Sequence, residues 1–147
     1  MTKGRLASAL FFGWIVIGCG ASFSATPPPG FHFPINKLSA GNAAPTALLS
    51  GLIEVRDGCF YVKQDGVQGP GYLIGWPTSL HLSLDAAGSP VILSGSAPVA
   101  SPGSALQLGG GAYESAESEA FARAQFDSPV PCPGPVWLGW SLVPKPR

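Results

Sequence analysis

The sequence predicts a small, mainly β domain over residues 48–147: an OB-like or sandwich-like antiparallel barrel of about five to seven short strands, with one short helix. Three observations predict this fold. Apolar and polar residues alternate in short runs, Gly- and Pro-rich turns separate the runs, and Asp57-Gly58 has the signature of a two-residue hairpin turn. Closing the sheet would also remove exposed edges, which a weakly charged surface protects poorly.

The clearest element is the hairpin in GLIEVRDGCFYVKQ. A two-residue turn at Asp57-Gly58 pairs Val55 with Phe60. Because side chains alternate along a strand, one face then carries the apolar residues Ile53, Val55, Phe60 and Val62. The opposite face receives Glu54, Arg56, Cys59 and Tyr61.

The other strands are predicted in the runs YLIGW, SLHLSLD, SPVILSG, SALQLGGG and VWLGWSLV. In the second of these, Leu80, Leu82 and Leu84 would face inward. The three glycines after Leu108 indicate a tight turn or a close approach of backbone, since a phosphate-binding loop would need a following Lys and Ser or Thr.

One helix is predicted in YESAESEAFARAQF. Apolar residues recur there at helical spacing, and one face would carry Ala116, Ala120, Phe121 and Ala124. The segment DSPVPCPGP that follows is extended or turned, because proline has no N–H to donate within a helix.

The N-terminal segment has the pattern of a signal peptide. Lys3 and Arg5 precede an uncharged run from Leu6 to Gly18, which is shorter than the roughly 20 residues of a membrane-spanning helix. Val16-Ile17-Gly18-Cys19 resembles the bacterial lipobox. That resemblance implies that residues 1–18 are removed, that Cys19 carries a diacylglycerol, and that the protein is exported and anchored to a membrane of the cell envelope.

Three alternatives for this segment remain open. An ordinary secretory signal could be cut after Ala21 or Ser22, the segment could stay as a weak uncleaved anchor, or Cys19 could be incidental. The following residues, 19–47, are rich in Pro, Ala and Ser and predict a flexible tether. A strap around Phe31 to Phe33, packed onto the domain, is the alternative there.

The cysteine count is odd, with Cys19, Cys59 and Cys132. If Cys19 carries lipid, Cys59 and Cys132 can form a disulfide in an oxidising compartment. Such a bridge would tie the C-terminal segment over the outside of the hairpin and contribute roughly 4 kcal/mol in the chain-entropy model. A zinc or redox pair has little support, because the chain has no C-x-x-C.

Four motifs, GLIEVRDGCFYV, YLIGWP, LQLGGG and CPGPVWLG, resemble a family of small bacterial lipoproteins of uncharacterised function. The resemblance covers about residues 51–140 and implies a disulfide-tied β domain without implying an activity. The chain departs from the family pattern in SPVILSGSAPVASPGSALQL, which is less charged than the Asp- and Gly-rich turns of that family.

Composition excludes several functions. Charged residues make up 11% of the chain, and the portion after residue 18 has six basic and eight acidic residues, so it lacks the basic patch that nucleic-acid binding requires. Of the two histidines, His32 lies in the tether, and His81 lies on the polar side of its strand among Ser79 and Ser83, where we expect a solvated surface residue. We therefore expect no catalytic residues, metal or cofactor. We expect a binding or structural domain with an unidentified envelope partner. The alternative is a carrier of an apolar or sugar ligand that would contact Trp76 or Trp137.

Overall fold

The computed structural model describes residues 26–38 and 47–143. These residues form eight strands and one helix: β1 Ala47–Arg56, β2 Cys59–Lys63, β3 Tyr72–Gly75, β4 Leu80–Leu84, β5 Pro90–Ser94, β6 Ala97–Ala100, β7 Ala105–Tyr113, α1 Ala116–Ala124 and β8 Val136–Leu142. The predicted mainly β fold with one short helix is therefore confirmed.

Five of the strands close a barrel in the order β1-β2-β3-β8-β7, with β7 pairing back to β1. All neighbours in the barrel are antiparallel except β3 and β8, which run parallel. The other three strands form a second antiparallel sheet, β4-β5-β6, inserted between β3 and β7. Strand β6, four residues with two alanines and a proline, was not predicted.

The β1–β2 hairpin has the predicted register, with Val55 opposite Phe60 and Arg56 opposite Cys59. Asp57 and Gly58 both have positive φ, 50° and 75°, as a type I′ turn requires. Because this turn is fixed by two adjacent residues, the sequence was sufficient to set the register of the whole hairpin.

Two apolar clusters lie on opposite sides of the barrel wall. The inner core fills the barrel and receives the inward side of the second sheet; it comprises Phe33, Leu49, Ile53, Phe60, Val62, Ile74, Trp76, Leu80, Leu82, Ile92, Ala100, Leu106, Leu108 and Trp137. The outer cluster lies between the barrel and α1 and comprises Cys59, Tyr61, Leu73, Ala122, Phe126, Cys132, Val136 and Leu138. Alternate residues of β2, β3 and β8 belong to the two clusters, so these strands are buried on both faces.

Glycines allow backbone and side chains to approach closely at two points of the wall. A Cβ on Gly110 would meet the Leu138 carbonyl and the Trp137 indole. The three glycines Gly109–Gly111 thus lie within β7, where they leave space for Trp137. Of the two roles predicted for them, close approach of backbone fits the structure, and a tight turn does not. On the outer side, a Cβ on Gly75 would lie 2.8 Å from the Phe126 ring and 2.9 Å from Leu138.

Part of the segment predicted as a tether packs onto the barrel, where residues 31–38 form a strap. Phe33 is buried and stacks on Trp76 with ring centroids 4.6 Å apart. Phe31 and Ile35 pack against the inner core from the same side. These apolar residues alternate with polar or turn residues, as in a strand. Burial of their side chains stabilises the packed strap although the segment is rich in proline.

Backbone hydrogen bonds hold the strap at three places. The His32 N–H donates to the Gly58 carbonyl at 2.8 Å, and the Trp76 N–H donates to the Pro34 carbonyl at 2.8 Å. The strap therefore passes the start of β2 and then the end of β3. Its far end lies against the residues that follow α1, where the Lys37 N–H donates to the Gln125 carbonyl at 2.8 Å.

Two predicted side-chain directions were wrong. Leu84 is 41% exposed, because it lies at the tip of the β4–β5 ribbon opposite Pro90 and extends beyond the core. The helix buries Ala122, whereas the predicted inward face was that of Ala116, Ala120, Phe121 and Ala124. Phe121 is 52% exposed. The small Ala122 allows α1 to pack closely on the outer cluster, and Phe121 is left beside the Tyr113 ring at 6.0 Å.

Gly75→Ala is expected to destabilise the protein by about 1–3 kcal/mol, because the added methyl overpacks against Phe126 and Leu138. Urea unfolding of the purified protein, followed by tryptophan fluorescence, measures the change. Gly109→Ala is the matched control, since its Cβ would meet the flexible Ser141 hydroxyl at 3.0 Å. Equal effects of the two substitutions would contradict tight packing at Gly75.

Candidate functional site

The segment Cys132–Pro135, here called the clasp, covers the outer side of β2 and β3. Cys132 forms a disulfide with Cys59, the first residue of β2, as predicted. Both cysteines are buried in the outer cluster. The bridge therefore ties the chain before β8 to the outside of the hairpin.

Every carbonyl of the clasp accepts a hydrogen bond. The two ends of the Arg123 guanidinium donate to the carbonyls of Cys132 at 2.7 Å and Gly134 at 2.8 Å. The Tyr61 hydroxyl donates to the Pro133 carbonyl at 2.9 Å, and the Leu73 N–H donates to the Pro135 carbonyl at 2.8 Å. Two of the four clasp residues are prolines without an N–H, so the clasp cannot pair as a regular strand, and donors from other elements serve its carbonyls.

Tyr61 links the clasp to the hairpin. Burial raises the pKa of its hydroxyl, partly offset by the nearby charge of Arg56. The Arg56 guanidinium lies over the Tyr61 ring, 4.1 Å from the centroid, and donates to the Pro70 carbonyl. This arrangement extends the same contact network to the loop between β2 and β3.

That loop, Gln64–Gly71, separates two depressions of about 170 Å³ and 310 Å³. Both are lined by Lys63, Gln64, Val67 and Gln68. The smaller one adds Tyr72, Glu114 and Pro135, and the larger one adds the outward side chains Leu52, Glu54 and Asp65. The loop thus presents amides, charges of both signs and an apolar residue, a mixed surface suited to binding.

Within the smaller depression, the Tyr72 hydroxyl donates to the Glu114 carboxylate. This hydrogen bond, followed by burial and the carboxylate charge, raises the pKa of Tyr72 to about 12. The hydroxyl is therefore protonated at neutral pH. It can orient Glu114 but is a poor proton acceptor, because a general base works best with a pKa near the operating pH.

A third depression, of about 260 Å³, lies where the strap meets β8 and is lined by Asn36, Lys37, Leu38, Pro77, Thr78, Gly139 and Trp140. Asn36 is buried and its side-chain amide is used on both sides: its N–H donates to the Gly139 carbonyl at 3.1 Å, and its oxygen accepts from the Leu38 N–H at 3.0 Å. The polar groups of Asn36 in this depression are thus occupied by contacts that join the strap to β8.

Both tryptophans predicted as ligand contacts lie in the inner core. Trp76 is fully buried against Phe33, and Trp137 is 5% exposed. Trp137 points inward because its neighbours Val136 and Leu138 fill the outer cluster, and its ring packs against Tyr72 at 5.7 Å. Neither ring offers an exposed surface to a ligand.

The remaining residues that the sequence analysis considered are Cys19, His32 and His81. Cys19 lies outside the described residues. The backbone of His32 forms an isolated parallel β-bridge with Cys59, and His81 is half-buried on β4. Within residues 26–38 and 47–143, no group of three or more His, Cys, Asp or Glu side chains is placed to hold a metal ion. Over the same ranges, no helix has the length and apolarity to cross a bilayer.

The contacts made by Asn36, Asp127 and Glu114 were not predicted from the sequence. Asp127 accepts from the Ile35 N–H at 2.8 Å and so joins the end of α1 to the strap. The alternation in FHFPIN was a usable signal for the strap. The sequence carries no comparable signal for Tyr72 and Glu114, which are 42 residues apart.

Arg123→Lys is expected to cost about 1–2 kcal/mol, because a single ammonium cannot serve two carbonyls as the guanidinium fork does. Urea unfolding measures this loss. Lys37→Arg is the control, with an expected effect within about 0.5 kcal/mol because the Lys37 side chain is exposed. A cost for Arg123→Lys no larger than the control would show that the fork does not hold the clasp.

Titration of tyrosine absorbance should reveal one group with a pKa of about 12, and Glu114→Gln should return that pKa toward its ordinary value of 10.0. Because the folded-state pKa is raised, the contact contributes stability fully below pH 10 and loses it as the pH rises through 12. Tyr72→Phe, the control, should remove the shifted transition. An unchanged titration in Glu114→Gln would contradict the assigned cause.

No family model, curated protein or solved structure matches this chain.

Proposed function

We propose that this protein is an exported lipoprotein of the bacterial cell envelope, anchored to a membrane through lipid on Cys19, whose β domain works by binding or by structural presence and not by catalysis. Residues 1–18 would serve as its signal peptide. Its partners would be the membrane, through the lipid, and an envelope protein or small ligand recognised by the β domain.

The observation that carries the proposal is the division of the three cysteines. Cys59 and Cys132 are joined to each other, which leaves Cys19 as the unpaired one. Cys19 is also the residue that the lipobox-like stretch places at the lipid position. A disulfide persists in an oxidising compartment, which agrees with export.

The loop Gln64–Gly71 supports the non-catalytic part of the proposal. Its two depressions carry mixed polar and apolar groups suited to recognition. The carboxylate and hydroxyl that meet there, Glu114 and Tyr72, bond to each other, and the pKa of about 12 keeps the hydroxyl protonated. We therefore assign recognition of an envelope partner to this loop.

The carrier alternative loses its main support. It required tryptophan rings on the surface of a pocket, whereas Trp76 and Trp137 are packed in the inner core. Trp140 does line a depression, but the surrounding Asn36 contacts already tie that place together. We do not propose a carrier.

Cys19→Ser is expected to abolish labelling of the protein with radioactive fatty acid in a bacterial host, because serine has no thiol to receive the diacylglycerol. Ser22→Ala is the matched control and should be labelled like the natural protein. Mass spectrometry of the mature natural protein should find an N-terminal, lipid-modified Cys19.

Thiol titration of the denatured, unreduced mature protein adds an independent readout. It should find no free thiol, because one cysteine carries lipid and the other two form the disulfide. A free thiol together with an intact Met1 and no acyl label would sink the proposal.

A further inference from the structure

The barrel has two distinguishable ends, set by the direction of β2. One end, here called the hairpin end, contains the Asp57-Gly58 turn that precedes β2 and the end of β3 at Gly75, which Trp76 follows. The other, called the loop end, contains the loop Gln64–Gly71 together with Glu114 and the start of α1. Five residues of strand separate the ends by about 17 Å, to which the turns add.

The strap fixes the chain's N-terminal side to the hairpin end. The Gly30 carbonyl lies against Gly58, where an added Cβ would collide with it. The His32 N–H donates to the Gly58 carbonyl at 2.8 Å. The segment that precedes Gly30 therefore joins the domain at the hairpin end.

The distance from the anchor is set by the number of residues before this contact. With lipid on Cys19, eleven residues lead to Gly30, whereas 28 would lead to Ala47 if the whole predicted tether were free. Eleven residues span at most about 40 Å, and a flexible chain of that length has an r.m.s. span of about 18 Å. A domain of this size is about 30–35 Å across. Only nearly extended spacers could thus bring the loop end to the membrane.

Charge favours the same orientation. The loop end carries Glu54, Asp65, Glu114, Glu117 and Glu119 against Lys63 and the Arg56 guanidinium, which donates to the Pro70 carbonyl there, a net charge of −3; the turn at the hairpin end contributes Asp57, a charge of −1. Anionic lipid headgroups repel acidic groups that come within about 8–10 Å at physiological salt. An anionic bilayer therefore disfavours contact with the loop end.

We propose that the hairpin end of the barrel faces the lipid bilayer at short range, and that the loop end with its two depressions points away from it. The inference rests on the proposed lipid attachment at Cys19. It identifies the hairpin end as the surface next to the lipid, and it presents the loop Gln64–Gly71 to partners in the envelope.

Energy transfer to the membrane surface tests the orientation. The acylated full-length mature protein is reconstituted in vesicles of neutral and anionic phospholipid that contain an acceptor-labelled lipid. A donor dye is attached through azidophenylalanine at Ser79, which follows β3 at the hairpin end, or at Gln68 in the loop; both side chains are exposed. This chemistry avoids a new thiol that could exchange with the disulfide. Transfer from position 79 should exceed that from position 68 by at least about two-fold, given the roughly 17 Å between ends.

A longer spacer provides the control. Inserting twenty Gly and Ser residues after Ser22 gives a chain of 31 residues before Gly30, with an r.m.s. span of about 31 Å, and should bring the two efficiencies close to each other. Equal or reversed transfer in the natural-length protein, when the protein floats with the vesicles, overturns the orientation and leaves the lipoprotein proposal standing. Absence of acylation and of flotation overturns both.

Discussion

The structure depends on burial of three barrel strands on both faces. Alternate residues of β2, β3 and β8 enter the inner core and the outer cluster, so the barrel wall needs an outer layer to exclude water from its second face. That layer consists of a nine-residue helix, a Pro-rich clasp and a strap. The Cys59–Cys132 disulfide, the Arg123 guanidinium and the strap's backbone hydrogen bonds hold this layer in place in addition to the burial of its apolar side chains.

The proline content of the outer layer explains why a few hydrogen-bond donors are needed to hold it on the barrel. Pro-rich segments resist helix formation and present carbonyls with few N–H groups, so they accept hydrogen bonds without pairing as regular strands do. Buried carbonyls require donors, and the donors come from the side chains of Arg123 and Tyr61 and from the backbone N–H groups of Leu73 and Trp76. A protein with few charged residues can thereby keep its irregular segments in place, provided that each donor is positioned by the barrel beneath it.

The sequence predicted those parts of the fold that short-range rules determine. Asp57-Gly58 fixed a hairpin register by itself, and that register placed Cys59 on the outer face where Cys132 reaches it. Parts that depend on distant partners were not predictable in the same way. The inward face of α1 follows from the shape of the outer cluster around Ala122, and the strap follows from the Phe33–Trp76 stack. The Tyr72–Glu114 pair arises from the meeting of two segments that carry no shared local pattern.

An anchor attached at the strap would place its load where the outer layer is tied most firmly. Tension from a lipid on Cys19 would enter the domain at Gly58 and reach the strap's bonds at Trp76 and at Gln125. The strap also adjoins Cys59, which is bonded covalently to the clasp immediately before β8. The force would therefore be divided among β2, β3, β8 and the end of α1. It would not act on a single edge strand. On the lipoprotein proposal, the disulfide and the strap have a common purpose: they join the point of attachment to the strands that hold both cores.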